Sequence, residues 1–168
     1  MSLKALIPRR PVVALALALA LLAVGAAAGW ALRSERQGAP VVREPMAQSS
    51  KVTKAKGQTL GLTRVTLKPG AEIAPHHHAG TQVSFIDGGT LTYTVLTGSV
   101  KVFKGPSDDH PKLVRKIDAG TTARIKTGQW LVEQPGAHHQ ARNAGDEPVV
   151  IYLSTLFPKG APPSIPDE

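Results

Sequence analysis

The segment GAEIAPHHHAGTQVSFIDGG, running from Gly70 to Gly89, decides how the rest of the chain is read. Turn signals bracket it, Pro69-Gly70 before and Asp87-Gly88-Gly89 after, and the residues between are rich in Ile, Val, Phe and Thr. These are marks of short strands. On a strand alternate side chains share a face, so His76 and His78 point one way and His77 the other. Two imidazoles converging from one strand make part of a metal donor set, and a third ligand must come from elsewhere in the chain. His139 or its neighbour His138, in a second cluster far along the sequence, is the candidate; the two clusters hold five of the 6 histidines. The His run also fits a solvated polar β-edge, and composition alone does not separate the two readings.

Outward from this segment the pattern continues. Strands are expected at 60–67, 72–77, 81–86, 90–96, 100–104, 112–117, 121–125, 130–134, 138–142 and 149–155, each closed by a Gly, Pro or Asn turn signal such as Thr97-Gly98, Ala119-Gly120 or Pro135-Gly136. No run of helical period interrupts them. So many short strands in one region predict an all-β, antiparallel jelly-roll barrel. The chain has 0 cysteines, which excludes disulfides, thiolate ligands and iron–sulfur clusters, so any metal rests on His, Asp, Glu or Gln.

Two spacings carry a resemblance. Gly70, five residues, His76-His77-His78, three residues, Gln82, six residues and Gly89 resemble the first cupin motif, G(X)5HXH(X)3,4E(X)6G, with glutamine where the family has glutamate. Gly128, Gly136, His139 and Asn143 stand in register with the second, G(X)5PXG(X)2H(X)3N, with Pro135 one place late. The resemblance covers about Leu60 to Phe157 and implies a cupin barrel with a divalent metal (Fe, Mn, Ni, Cu or Zn) at its mouth. By position it makes His76, His78 and His139 the imidazole ligands and puts Gln82 where the family's acidic ligand stands. Losing that carboxylate removes a negative charge from around the ion and weakens its hold. Strand parity does not choose between His138 and His139; the motif register chooses His139. His77 and His138 then face away, as supporting or surface residues, and the parity of Glu133 is left open. His110 reads as a loop residue, and Phe85, Tyr93, Trp130 and Val132 as barrel-wall packing.

Residues Val12 to Leu32 carry no charge and are long enough, as a helix, to cross a bilayer once. Lys4, Arg9 and Arg10 precede them, which predicts the amino terminus inside and the barrel outside the cytoplasm. Ala26-Ala27-Ala28 offers a cleavage site for the alternative, a secretory signal. The expected organisation is therefore 1–33 as membrane anchor or signal helix, 34–57 as a flexible linker, 58–158 as the cupin domain and 159–168 as a carboxy-terminal tail. Lys and Arg number 20 against 12 Asp and Glu, a net +8, but half of that excess lies in the first 33 residues. With 4% aromatic residues and scattered basic ones, nucleic-acid binding is set aside.

The function expected is an extracytoplasmic domain binding a divalent metal and a small organic ligand at the barrel mouth. As an enzyme, it suits a dioxygenase, isomerase or lyase. The rivals are a metal-free pocket for a sugar or carboxylate, and an interaction module. The sequence assigns no catalytic residue. Pairing of two barrels into a homodimer is compatible with the resemblance.

Overall fold

Alternation builds the strands and sorts their side chains. The computed structural model describes residues 41–106 and 111–168; the apolar amino-terminal run, with the helix expected there, and His110 lie outside them. In chain order the elements are β1 (Val41–Ser49), β2 (Gln58–Leu67), β3 (Glu72–His77), β4 (Thr81–Gly88), β5 (Thr90–Val95) and β6 (Ser99–Lys104). They continue with β7 (Lys112–Asp118), β8 (Thr122–Lys126), β9 (Gln129–Glu133), β10 (His139–Arg142), β11 (Val149–Pro158) and β12 (Ile165–Pro166). Each of β2 to β11 falls on an expected strand. Among the described residues no helix is long and apolar enough to cross a membrane.

Two antiparallel sheets result, one ordered β1-β2-β11-β4-β9-β6-β7 and the other β12-β3-β10-β5-β8. Their inward residues form one buried core that includes Val65, Leu67, Ile86, Leu91, Leu131 and Val149. Strand β4 shows the sorting: Gln82, Ser84 and Ile86 are buried, while Val83 and Phe85 are 37% and 39% exposed. Trp130 and Phe103 stack at 4.5 Å on adjacent strands, and the Trp130 indole N–H donates to the Gly105 carbonyl. Phe85, Trp130 and Val132 are therefore on the outer surface of the wall, whereas Tyr93 is in the core.

Two glycines of the opening segment are required by close approach. Gly89 has φ 76°, and a Cβ there would lie 2.6 Å from the Pro148 carbonyl oxygen. A Cβ on Gly80 would collide with the Leu156 carbonyl oxygen.

Strand β1 occupies 41–49, inside the stretch expected as a flexible linker. Eight of its nine positions are exposed, so it shows no apolar alternation; it is held by backbone pairing with β2 from Val41↔Leu67 to Ser49↔Leu60. Pro45 sits at the register shift between Pro45 and Ala47, a break that a proline tolerates on an edge strand. At the other end, β12 lies inside the expected tail and pairs Ile165 with His77. From Pro158 to Ser164 the chain borders the cavity between the sheets, forming a strap across it.

Candidate metal centre

Strand pairing brings the expected imidazoles together. His76 and His139 are directly opposite in the β3–β10 ladder, and His78 follows at the end of β3. Ring centroids lie 4.3 Å apart for His76 and His139, 5.0 Å for His76 and His78, and 5.1 Å for His78 and His139. All three side chains are buried, and one ring nitrogen of each lies within 4.8 Å of the others.

The hydrogen bonds determine which nitrogen is available. Nδ1 of His76 is 2.8 Å from the Ala74 carbonyl, Nδ1 of His78 is 2.9 Å from that of Pro163, and Nδ1 of His139 is 3.0 Å from that of Ala137. A carbonyl only accepts, so each Nδ1–H donates and each Nε2 of a neutral ring keeps a lone pair. Burial, helped by the neighbouring His139, lowers the His76 pKa to about 4; burial also lowers that of His78, against the pull of Glu133. Both rings are therefore neutral at pH 7, the form that binds metal.

The acid missing from the first motif is present on the next strand. The β4–β9 register sets Gln82 opposite Glu133, and both are buried. The Gln82 amide nitrogen donates to Glu133 Oε2 and lies 3.4 Å from both Ser84 Oγ and His78 Nε2. Ser84 Oγ donates to Oε2 at 3.1 Å and the Tyr93 hydroxyl to Oε1 at 2.9 Å. Tyr93 stacks on the His139 ring at 5.1 Å, and burial, followed by the charge on Glu133, raises its pKa so that it stays a phenol. Gln82 thus reaches the site as expected, but its amide nitrogen is directed at Glu133. Tyr93 has a polar role beyond wall packing. Glu133 could not be assigned from sequence, because its orientation depends on register with another strand.

The carboxylate faces the lone pairs. Glu133 Oε1 is 3.2 Å from His139 Nε2, and Oε2 is 3.7 Å from His78 Nε2. An imidazole lone pair and a carboxylate oxygen repel unless a cation lies between them. Three imidazole nitrogens and one carboxylate are a donor set suited to Fe, Mn, Ni, Cu or Zn. The residues present therefore fit the divalent ion that the resemblance implies.

Beside this cluster is a cavity of about 570 Å³, within the range of small-molecule sites. Ile73, Leu91, Leu131, Ile151 and Phe157 contribute its apolar wall, and Arg43 of β1 also lines it.

No protein-family profile matches the chain, and no curated protein is recognisably similar in sequence. Solved structures are similar in shape. A cupin 2 domain-containing protein from Halorhodospira halophila superposes with a TM-score of 0.50 at 12% identity, covering 80% of this chain and 73% of that one. A conserved protein with a double-stranded β-helix domain from Klebsiella pneumoniae gives 0.43 at 23% identity over 76% of this chain and 84% of that one. Oxalate decarboxylase from Lactobacillus farciminis gives 0.45 at 20% identity over 75% of this chain and 31% of that one. The fold of the described region is the cupin jelly roll, the double-stranded β-helix. The cluster of His76, His78 and His139 within it has the geometry of a metal site.

Proposed function

We propose that this chain is a metal-binding cupin whose cup takes a small organic acid, carried outside the cytoplasm on its amino-terminal apolar segment. His76, His78 and His139 hold the ion through Nε2, and Glu133 supplies the carboxylate donor in place of residue 82. One observation carries the reading: three Nδ1–H groups are tied to backbone carbonyls, leaving three Nε2 lone pairs beside a buried carboxylate. A bound divalent ion supplies Lewis-acid polarisation of a ligand oxygen.

The chain's own residues do the rest. Gln82, Ser84 and Tyr93 fix the orientation of Glu133 by donating to it, and Tyr93 also packs on His139. A divalent ion with one carboxylate leaves a net positive charge, and Arg43, an exposed residue among those that line the cavity, adds another, so an anionic ligand is favoured. The apolar wall suits a short carbon skeleton beside that charged end.

The test is a metal and ligand titration of the purified full-length chain. The expected result is one tightly held Co²⁺ per cup, with an absorption band that shifts when small carboxylates are added and is lost in His139→Ala. A Co²⁺ spectrum unchanged by His139→Ala would overturn the assignment, and one indifferent to carboxylates would overturn the ligand class.

A further inference from the structure

Strand alternation leaves two imidazoles of the same strand pair outside the cup. His77, the last residue of β3, and His138, immediately before β10, face outward, and their rings stack with centroids 4.4 Å apart and 26° between planes. Each places its Nδ1 2.9 Å from the same atom, Oδ1 of Asp167. That aspartate comes from the far end of the chain. It is positioned by β12, whose Ile165 and Pro166 pair with His77 and His76, and by its own N–H, which donates to the Pro75 carbonyl at 3.1 Å.

Three separate segments thus bring one donor atom each to one place, all within 4.8 Å of one another. The side chains are 27%, 34% and 17% exposed for His77, His138 and Asp167. They are ordered by their neighbours yet open to solvent, so water can complete a coordination sphere. Two imidazole nitrogens with one carboxylate oxygen select borderline ions; Mg²⁺ and Ca²⁺ want oxygen alone. Without an ion, hydrogen bonding from His77 and then His138 holds the Asp167 carboxyl below the usual carboxylate range, so it is ionised, and a bound cation would take the place of the two Nδ1 protons, which leave to solvent or move to Nε2.

We propose that His77, His138 and Asp167 form a second divalent-cation site, on the outer wall, that takes Zn²⁺, Ni²⁺ or Cu²⁺ and fastens the carboxy-terminal strap to the barrel. The strap is the link to the cup. Its Pro163 carbonyl accepts from His78 Nδ1 at 2.9 Å, and Pro158 to Ser164 border the cavity. An ion on Asp167 fixes the end of the segment that leads across the cavity and orients one imidazole within it. The two sites share no donor atom, so either can exist without the other.

Equilibrium dialysis of the chelator-treated full-length chain against Zn²⁺, with metal counted by elemental analysis, separates them. The expected counts are two ions for the wild type, one for Asp167→Asn, one for His138→Gln and one for the double variant His76→Gln/His139→Gln. Hydrogen exchange gives a second readout: Zn²⁺ should slow exchange of the Ile165 and Asp167 amides at least severalfold in the wild type, and not in Asp167→Asn. A single ion that is lost with Asp167→Asn but kept by the double variant would support the outer site and remove the cup. A single ion kept by Asp167→Asn and His138→Gln and lost in the double variant would overturn the outer site and leave the cup. Wild-type counts in both outer variants, or strap exchange indifferent to Zn²⁺, would also overturn it.

Discussion

The histidines of the inner cluster (His76, His78 and His139) and of the outer cluster (His77 and His138, joined there by Asp167 from beyond β12) come from the same two chain segments and differ in which way they point. Inside, the imidazoles are buried, tied through Nδ1 to backbone carbonyls, with Nε2 facing Glu133. Outside, the rings are half-exposed, and it is Nδ1 that meets a carboxylate. The contrast teaches that residue type does not define a site. A run of three histidines is divided by pleat parity into two environments, and the partner of Nδ1 determines which nitrogen can bind a ligand.

The sharpest way to break this contrast is to remove a buried ligand. His139→Ala should weaken metal binding in the cup by roughly 100-fold or more, the upper end of losses seen at supporting residues, while Asp167→Asn leaves cup affinity within about twofold. Competition with a chromophoric chelator reads both. Equal losses would mean that the clusters are not separate.

The next effect lies on the Gln82–Glu133 pair. Glu133→Gln should cost roughly 10- to 100-fold in metal affinity, and the same titration checks it. Gln82→Glu should act in the opposite direction on binding and destabilise the metal-free chain. It replaces a buried donor to Glu133 with a second carboxylate, at a cost of about 1–3 kcal/mol or more. Denaturant melts with and without metal separate the two effects; a metal-free Gln82→Glu chain as stable as the wild type would show that the two side chains do not meet.

A smaller effect is expected from Tyr93→Phe, which keeps the stacking on His139 but takes one donor from a buried carboxylate. It should cost about 1–3 kcal/mol of stability and weaken metal binding severalfold. Thermal melts and the chelator titration measure these.

Protonation sharpens the comparison further. His76 has a folded pKa of about 4 against an ordinary 6.5, so between those values the unfolded chain binds a proton that the folded chain does not. Stability from this residue is complete above pH 6.5 and falls as the pH drops toward 4, and His78 adds to the trend in the same direction. The melting temperature of the metal-free chain should therefore decline over that range, less steeply in His76→Gln. Equal slopes would place His76 outside the buried group.

How much of this was legible in the sequence depends on the distance over which each feature is encoded. The strands and turns were local: Gly89 at φ 76° and the alternation of Gln82, Ser84 and Ile86 are written in adjacent residues. So was the convergence of His76 and His78, and the motif spacing named His139. Glu133 was not, because its inward orientation follows from pairing with Gln82 on another strand. Strand β1 was hidden for a different reason: it buries almost no side chain, and its backbone bonds to β2 leave no trace in hydrophobic pattern. Asp167 was hidden in a tail whose only regular element is a two-residue strand.

The central claim is that three Nε2 atoms and the Glu133 carboxylate share one ion. X-ray absorption at the zinc edge tests it most directly, using Asp167→Asn loaded with one Zn²⁺ so that only the cup contributes. Three imidazole nitrogens and one carboxylate oxygen at about 2.0–2.2 Å are expected, with an imidazole lost in His139→Ala and the oxygen lost in Glu133→Gln. Fewer than three imidazoles on the ion, or a spectrum that neither substitution changes, would contradict the account.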